Sequence, residues 1–112
     1  MTDQDALRER LESGTGFPSA DYAWTRTPDA DAWLRLNLIG EAGAVWGDDR
    51  QQDQALSGQV HLFTRRMGSA DMKAVQAVLR EQDFHWRLDG VAYESDTRLL
   101  HYTWVWNDWE ED

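Results

Sequence analysis

The sequence contains no cysteine, a single lysine and no long hydrophobic run. The lack of cysteine excludes disulfide bonds and thiolate metal sites, and it suits a reducing compartment. No apolar run approaches the roughly 18–20 residues that a membrane-spanning helix needs. The first ten residues, MTDQDALRER, also lack the apolar core of a signal peptide. We therefore expect neither export nor membrane insertion.

The amount of apolar sequence is sufficient for a folded core. Hydrophobic residues make up 41% and aromatic residues 12% of the chain, which favours a folded chain over a disordered one. A chain of 112 residues falls within the usual size of one domain. We predict a single domain over residues 1–112.

The formal net charge is -10, and the acidic residues are spread along the whole chain. A surface of this sign repels the phosphate backbone, so charge-driven binding of nucleic acid is not expected. Lys73 is the one lysine, and the other basic residues are all arginine. Arginine forks suit carboxylate pairs across protein interfaces, although a codon bias toward arginine gives the same composition.

The periodicity of apolar residues predicts two helices and a set of short strands. Helices are predicted over residues 2–13 and 69–82, with Ser69 as the N-cap of the second. Strands are predicted at residues 21–26, 32–40, 55–65, 84–88, 91–95 and 99–106. This order predicts an α+β domain. Its single sheet is antiparallel or mixed, with both helices packed on one face.

Two connections in this pattern carry their own predictions. The polar stretch from residue 41 to 54 is expected to form a long mobile loop or a protruding hairpin, since compact domains rarely keep such loops without a use. Asp89-Gly90 is a strong signal for a two-residue hairpin turn, because both turn positions need positive φ. The last three strands would then form a meander.

No catalytic or metal-binding motif is present. His61, His85 and His101 lie on predicted strands, and their spacing does not require a shared metal ion. The acidic stretch with Asp48 and Asp49 lacks the pattern of a calcium loop, which favours a solvated loop. The serines lie in no nucleophile-elbow context, and the glycines fit no phosphate-binding loop. We expect a protein that is not an enzyme and that binds no cofactor.

The seven tryptophans are many for one small core to bury. Trp104 and Trp106 share a face of the last strand and are expected to be largely core. Trp33 lies opposite the leucine face of its strand, and Trp46 lies in the polar stretch. Because tryptophan and arginine are typical interface anchors, we expect these two tryptophans at the surface.

Several stretches together resemble the small tail-terminator or tail-completion proteins of long-tailed bacteriophages, a family that includes head–tail joining proteins. The likeness is one of order and spacing, and it covers nearly the whole chain. The stretches are GTGFPSADYAW, AWLRLNLIG with the acidic segment after it, GQVHLFTRR, SADMKAVQAVLREQDF and VAYESDTRLLHYTWVW.

The resemblance implies a tail-terminator-like α+β domain that forms a homo-oligomeric ring, usually a hexamer, at the head-proximal end of the tail tube. Such a ring stops tube polymerisation and joins the tail to the head connector or stopper. DNA passes through its lumen without specific binding. The implied location is the virion tail, after assembly in the host bacterial cytoplasm.

The predicted interface combines surface tryptophans with arginine and acidic groups, and it includes the acidic C-terminal tail from residue 107 to 112. Its residues are Trp33, Arg35, Trp46, Asp48, Asp49, Arg50, Arg65, Arg66, Trp109, Glu110 and Glu111. Two alternatives stay open. One is a head–tail connector or stopper, and the other is an acidic inhibitor that mimics DNA.

Overall fold

The computed structural model describes residues 4–21, 28–42 and 55–107. These residues form two helices and five strands. In chain order they are α1 (Gln4–Thr15), β1 (Ser19–Asp21), β2 (Ala32–Ala42), β3 (Ala55–Thr64), α2 (Ala70–Leu79), β4 (His85–Glu94) and β5 (Leu99–Asn107). Neither of these helices is long and apolar enough to cross a membrane.

The five strands form one sheet in the order β1-β2-β3-β5-β4. β1 is parallel to β2, and all other neighbouring pairs are antiparallel. The sheet is therefore mixed, and the prediction of an α+β fold is confirmed. β4 lies at one edge and the three-residue β1 at the other.

Strict alternation along β2, β3 and β5 places one set of apolar side chains beneath both helices. We call this side of the sheet the helix side, and the opposite side the second face. The core residues that meet there are Leu7 and Leu11 of α1, Val75, Val78 and Leu79 of α2, and Leu34, Leu36, Val60, Leu62, Tyr102, Trp104 and Trp106 of the strands. The prediction that Trp104 and Trp106 are core residues is confirmed.

α1 begins within the predicted segment and ends at glycine. Leu7 and Leu11, one turn apart, are its fully buried residues. Gly16 stops the helix with a φ of 78°, a conformation that side chains with a Cβ rarely adopt. Gly14 lies where α1 meets α2, and a Cβ there would come within 2.6 Å of the Val78 Cγ2. The glycine therefore allows the two helices to approach closely.

The start of α2 is held to the end of β3 by a carboxylate. Ser69 occupies the N-cap position but makes no side-chain capping bond. Instead Asp71, in the first turn, accepts a hydrogen bond of 2.6 Å from the Thr64 hydroxyl. Arg66 donates two further bonds to the same carboxylate, at 2.9 and 3.0 Å. This charge-assisted fork closes the β3–α2 connection.

The predicted hairpin turn at Asp89-Gly90 is wrong. β4 runs through this dipeptide without interruption, and the register with β5 shifts between Leu88 and Gly90. Asp89 is therefore the extra residue of a bulge, and Gly90 does not have a positive φ. Pairing along the full length of β5 outweighs the local turn preference. The predicted three-strand meander is a two-strand hairpin, which turns at residues 95–98.

Two other boundaries also differ from the predictions. β2 continues to Ala42, whose partner across the sheet is Ala55, so the strand pair reaches beyond the predicted start of the loop at residue 41. Residues 43–54 lie outside the described residues. β1 begins at Ser19, two residues before the strand predicted at 21–26, most of which also lies outside the described part.

Candidate functional site

Four of the predicted interface residues lie in the described part of the chain, namely Trp33, Arg35, Arg65 and Arg66. The other predicted residues lie outside it: Trp46, Asp48, Asp49, Arg50, Trp109, Glu110 and Glu111. The structure therefore bears on the first four.

Three of these four side chains form a cluster with Phe63 on the second face of the sheet. The rings of Trp33 and Phe63 stack with their centroids 6.0 Å apart. The Arg65 guanidinium lies 5.3 Å from the centre of the Trp33 ring. The Arg35 guanidinium lies 5.5 Å from the centre of the Phe63 ring. These are cation–π distances, so the arginines are part of an aromatic cluster.

The prediction that Trp33 lies at the surface is wrong. Its side chain does lie opposite the leucines of β2, as the alternation predicts, but it is only 5% exposed. Phe63 and Arg65 pack against its ring. Strand alternation identifies the face on which a side chain lies. It does not identify what covers that face, because the covering groups come from other parts of the chain.

Arg66 lies apart from this cluster. Its guanidinium is fixed by Asp71, and it also lies 3.6 Å from Asp31. The hydrogen bonds that Arg66 donates to the Asp71 carboxylate raise the pKa of Arg66 above its usual value. Arg66 therefore has a role within its own chain, and its contact with another chain stays a prediction.

A histidine pair lies beside the aromatic cluster on the second face. His61 Nδ1 and His101 Nε2 are 2.8 Å apart, and His61 Nε2 is 3.1 Å from the side-chain oxygen of Gln59. That oxygen can only accept a hydrogen bond, so His61 Nε2 carries the proton and Nδ1 accepts. His101 Nε2 must then be the donor to His61. The pair is thus compatible with two neutral rings in one tautomeric arrangement.

Burial and nearby positive charge favour the neutral form of both rings. Burial, followed by the charges of Arg35 and His101, lowers the pKa of His61 from 6.5 to about 4. The pKa of His101 is also lowered, mainly by burial, although Glu94 at 3.8 Å opposes this effect. Within the described residues, no group of three or more histidine and acidic side chains could hold a metal ion.

Because the pKa of His61 is lowered in the folded chain, we expect a loss of stability at mildly acidic pH. The unfolded chain binds a proton at His61 near pH 6.5, whereas the folded chain resists it down to about pH 4. The contribution of His61 to the free energy of unfolding should therefore be fully present above pH 6.5 and fall as the pH drops toward 4. We expect a loss of about 2 kcal/mol, below the full linkage value because water screens a pair that is only partly buried.

Urea unfolding between pH 7.5 and 4 would measure this effect. In H61Q the difference from wild type should narrow as the pH falls, because the substituted side chain does not titrate. K73Q, which changes an exposed side chain of α2 away from the histidine pair, serves as the control and should keep the wild-type slope. Equal pH slopes for wild type and H61Q would contradict the prediction.

The other distinctive surface is the edge strand β4, which the sequence predictions missed. Leu88, Val91 and Tyr93 are 39%, 52% and 53% exposed, although all three lie on the helix side of the sheet. They stand opposite β5 residues, and the two helices cover the core beyond them. No described strand pairs with the outer edge of β4. The strand therefore offers both apolar side chains and backbone hydrogen-bonding groups to solvent.

Met67 is another exposed apolar side chain, and it lies in the connection between β3 and α2. The next residue, Gly68, accepts a hydrogen bond from the Tyr102 hydroxyl, and Tyr102 is the β5 partner of Val91. We call the open edge of β4, with its exposed row of Leu88, Val91 and Tyr93, the edge surface. Its identity depends on the order of strands in the sheet, which alternation within a single strand does not reveal.

No protein-family model matches the chain, and no curated protein matches it. A functional inference therefore rests on the fold, on the second face with its aromatic cluster and histidine pair, and on the edge surface.

Proposed function

We propose that this chain is a structural protein that works by assembling with copies of itself and with other chains. Its most specific form is the tail terminator of a long-tailed bacteriophage. The protein forms a ring, a hexamer in this proposal, at the head-proximal end of the tail tube. There it stops tube growth and contacts the head connector or stopper.

The edge surface is the observation that supports this proposal. An exposed strand of ten residues with a row of large apolar side chains is a template for another polypeptide. Monomeric proteins usually protect such edges by shortening them or covering them. The long unprotected edge therefore favours a protein whose working state includes a partner chain.

The charge of the protein is consistent with a channel through which DNA passes. A net charge of -10 repels phosphate groups, so DNA in contact with such a wall would slide without adhering. The arginines of the second face lie against aromatic rings, and Arg66 lies against Asp71. They are therefore not arranged as a row that tracks a phosphate backbone.

Substituting one apolar residue of the edge surface with a charged residue tests whether assembly uses this surface. In V91E, we expect at least tenfold weaker self-association, because a carboxylate would have to lose its water inside the contact. A77E is the matched control, since it adds the same charge at an exposed position of α2. Light scattering during size-exclusion chromatography measures the mass, and circular dichroism checks that both variants fold.

The same experiment includes the functional partners. Wild-type protein should form a six-copy species, alone or on purified tail tubes, and should stop the growth of tubes. A wild-type chain that stays monomeric at high concentration and in the presence of tubes would contradict the proposal. Binding to DNA-filled heads instead of tubes would identify the connector or stopper. A tight complex with a DNA-binding enzyme would identify the DNA mimic.

A further inference from the structure

The two edges of the sheet differ in how they are protected. In the described part of the chain β1 has three residues, and side chains of α1 bond to its backbone and to Asp21. Glu12 accepts a hydrogen bond from the Ser19 N–H at 3.1 Å. Gln4 and Arg8 each donate to the Asp21 carboxylate, at 3.0 and 3.1 Å. β4, at the other edge, has ten residues and no such cover among the described residues.

This asymmetry limits the ways in which the sheet can continue into another molecule. Head-to-tail pairing needs two open edges on each copy, one to give and one to receive. The described residues provide one long open edge. A sheet with one open edge continues into a second copy by pairing that edge with its equivalent, which produces a two-fold contact.

The bulge in β4 makes the strand complementary to itself. A two-fold axis through the bulge places Leu88 opposite Val91 of the second copy. It also places Trp86 opposite Tyr93. In an uninterrupted strand these partners would lie on opposite faces, because their spacings are odd. The extra residue shifts the alternation, and all four side chains face the helix side. On the helix side, apolar residues of one copy thus lie opposite apolar residues of the other.

The polar residues of β4 fit the same arrangement. On the second face, His85 lies opposite Glu94 of the second copy, which brings a hydrogen-bond donor to an acceptor. Arg87 lies opposite Ala92 and so meets no like charge. Asp89 is the acidic group beside the axis, and Arg87 of its own chain lies 3.4 Å from its carboxylate. This neighbour offsets the repulsion between the two aspartates.

We propose that, in the free protein, β4 pairs antiparallel with β4 of a second copy about a two-fold axis between Asp89 and Gly90. The contact joins two five-stranded sheets into one of ten strands. This inference shares one premise with the proposed function, which is that another chain binds at the edge surface. A two-fold contact pairs copies and does not close a ring by itself, so a six-copy ring that keeps it contains three such dimers.

Because the chain has no cysteine, introduced cysteines report this geometry directly. In G90C the two thiols would lie beside the axis, with Cα atoms roughly 6 Å apart, within the range for a disulfide. A Cβ at Gly90 meets no atom within 4 Å, so the substitution fits the fold. In E94C, on the same strand, the two thiols would lie roughly 30 Å apart. An equal mixture of H85C and E94C brings unlike cysteines together.

The expected result is a covalent dimer for G90C and for the H85C–E94C mixture after mild oxidation, and none for E94C alone. Introducing V91E into G90C should reduce the yield at least tenfold. A crosslinked E94C, or an oligomeric wild type whose G90C variant stays uncrosslinked, would overturn the two-fold pairing and leave assembly intact. A monomeric wild type without crosslinks in any variant would overturn the pairing as well. The separate assay with tail tubes then decides whether the proposed function survives.

Discussion

Replacing Trp104 with alanine is expected to lower the free energy of unfolding by about 4 kcal/mol, the range measured for large aromatic truncations in cores. Trp104 is fully buried near the middle of β5, between β3 and β4. Its ring stacks on Tyr102 at 5.8 Å and covers the centre of the sheet beneath the helices. Because the stability of a domain is only about 5–15 kcal/mol, this change would leave a marginal protein.

The matched variant W104F separates loss of volume from loss of the indole group. The indole Nε1 of Trp104 is buried and has no hydrogen-bond partner among the described residues. Phenylalanine removes that unpaired donor and leaves a smaller cavity, so we expect a loss of about 1 kcal/mol. Urea unfolding followed by far-UV circular dichroism measures both variants. An alanine variant as stable as the phenylalanine variant would contradict the role of this ring in the core.

The parts of the fold that could be predicted from sequence are those with a repeated pattern. The leucines of β2 alternate over several residues, and the apolar residues of α2 repeat at helical spacing. Each pattern needs only its own segment to be recognised. The hairpin turn predicted at Asp89-Gly90 also rested on its own segment alone, and it was wrong because pairing with a distant strand decides the structure there. Local preference favours a turn, while pairing with all of β5 requires an extended strand with a bulge.

The candidate site was less predictable because its members come from distant segments. His61 and His101 are separated by 40 residues in the sequence, and they meet only because β3 and β5 are neighbours. Trp33 was placed on the correct face of β2, but Phe63 and Arg65, whose side chains contact its ring, come from another segment of the chain. The exposure of Val91 depends on the position of β4 at the edge, which follows from the strand order alone.

The combination of a protected edge and an open edge has a consequence for assembly. β3 and β5 pair on both sides with other strands, so their backbone groups are satisfied within the chain. Among the described strands β4 pairs on one side only, and a partner strand would complete it. The free energy of association then comes from backbone hydrogen bonds together with the apolar row, and charge on that row opposes it.

Replacing Gly58 with alanine is expected to cost about 3 kcal/mol, the upper range for overpacking in a core. Gly58 lies on β3 between Leu38 of β2 and Trp106 of β5. A Cβ there would lie 2.7 Å from the Asn37 carbonyl oxygen and 2.8 Å from the Trp106 ring. The carbonyl belongs to the backbone of a paired strand, and the ring is fully buried and stacked on Phe84. Neither group can move without disturbing the sheet.

A second substitution tests this steric explanation. G58A/W106F removes the outer part of the indole, which is the part nearest the new methyl group. Its destabilisation should be smaller than the sum of the two single changes, with a coupling energy of about 1 kcal/mol, because the clash is shared between them. Unfolding of all four proteins in urea at pH 7.5 gives this coupling. Strict additivity would mean that the cost of alanine arises from the clash with the Asn37 carbonyl of β2. Glycine at position 58 would then be needed for the pairing of β2 with β3 and not for the packing of the Trp106 ring.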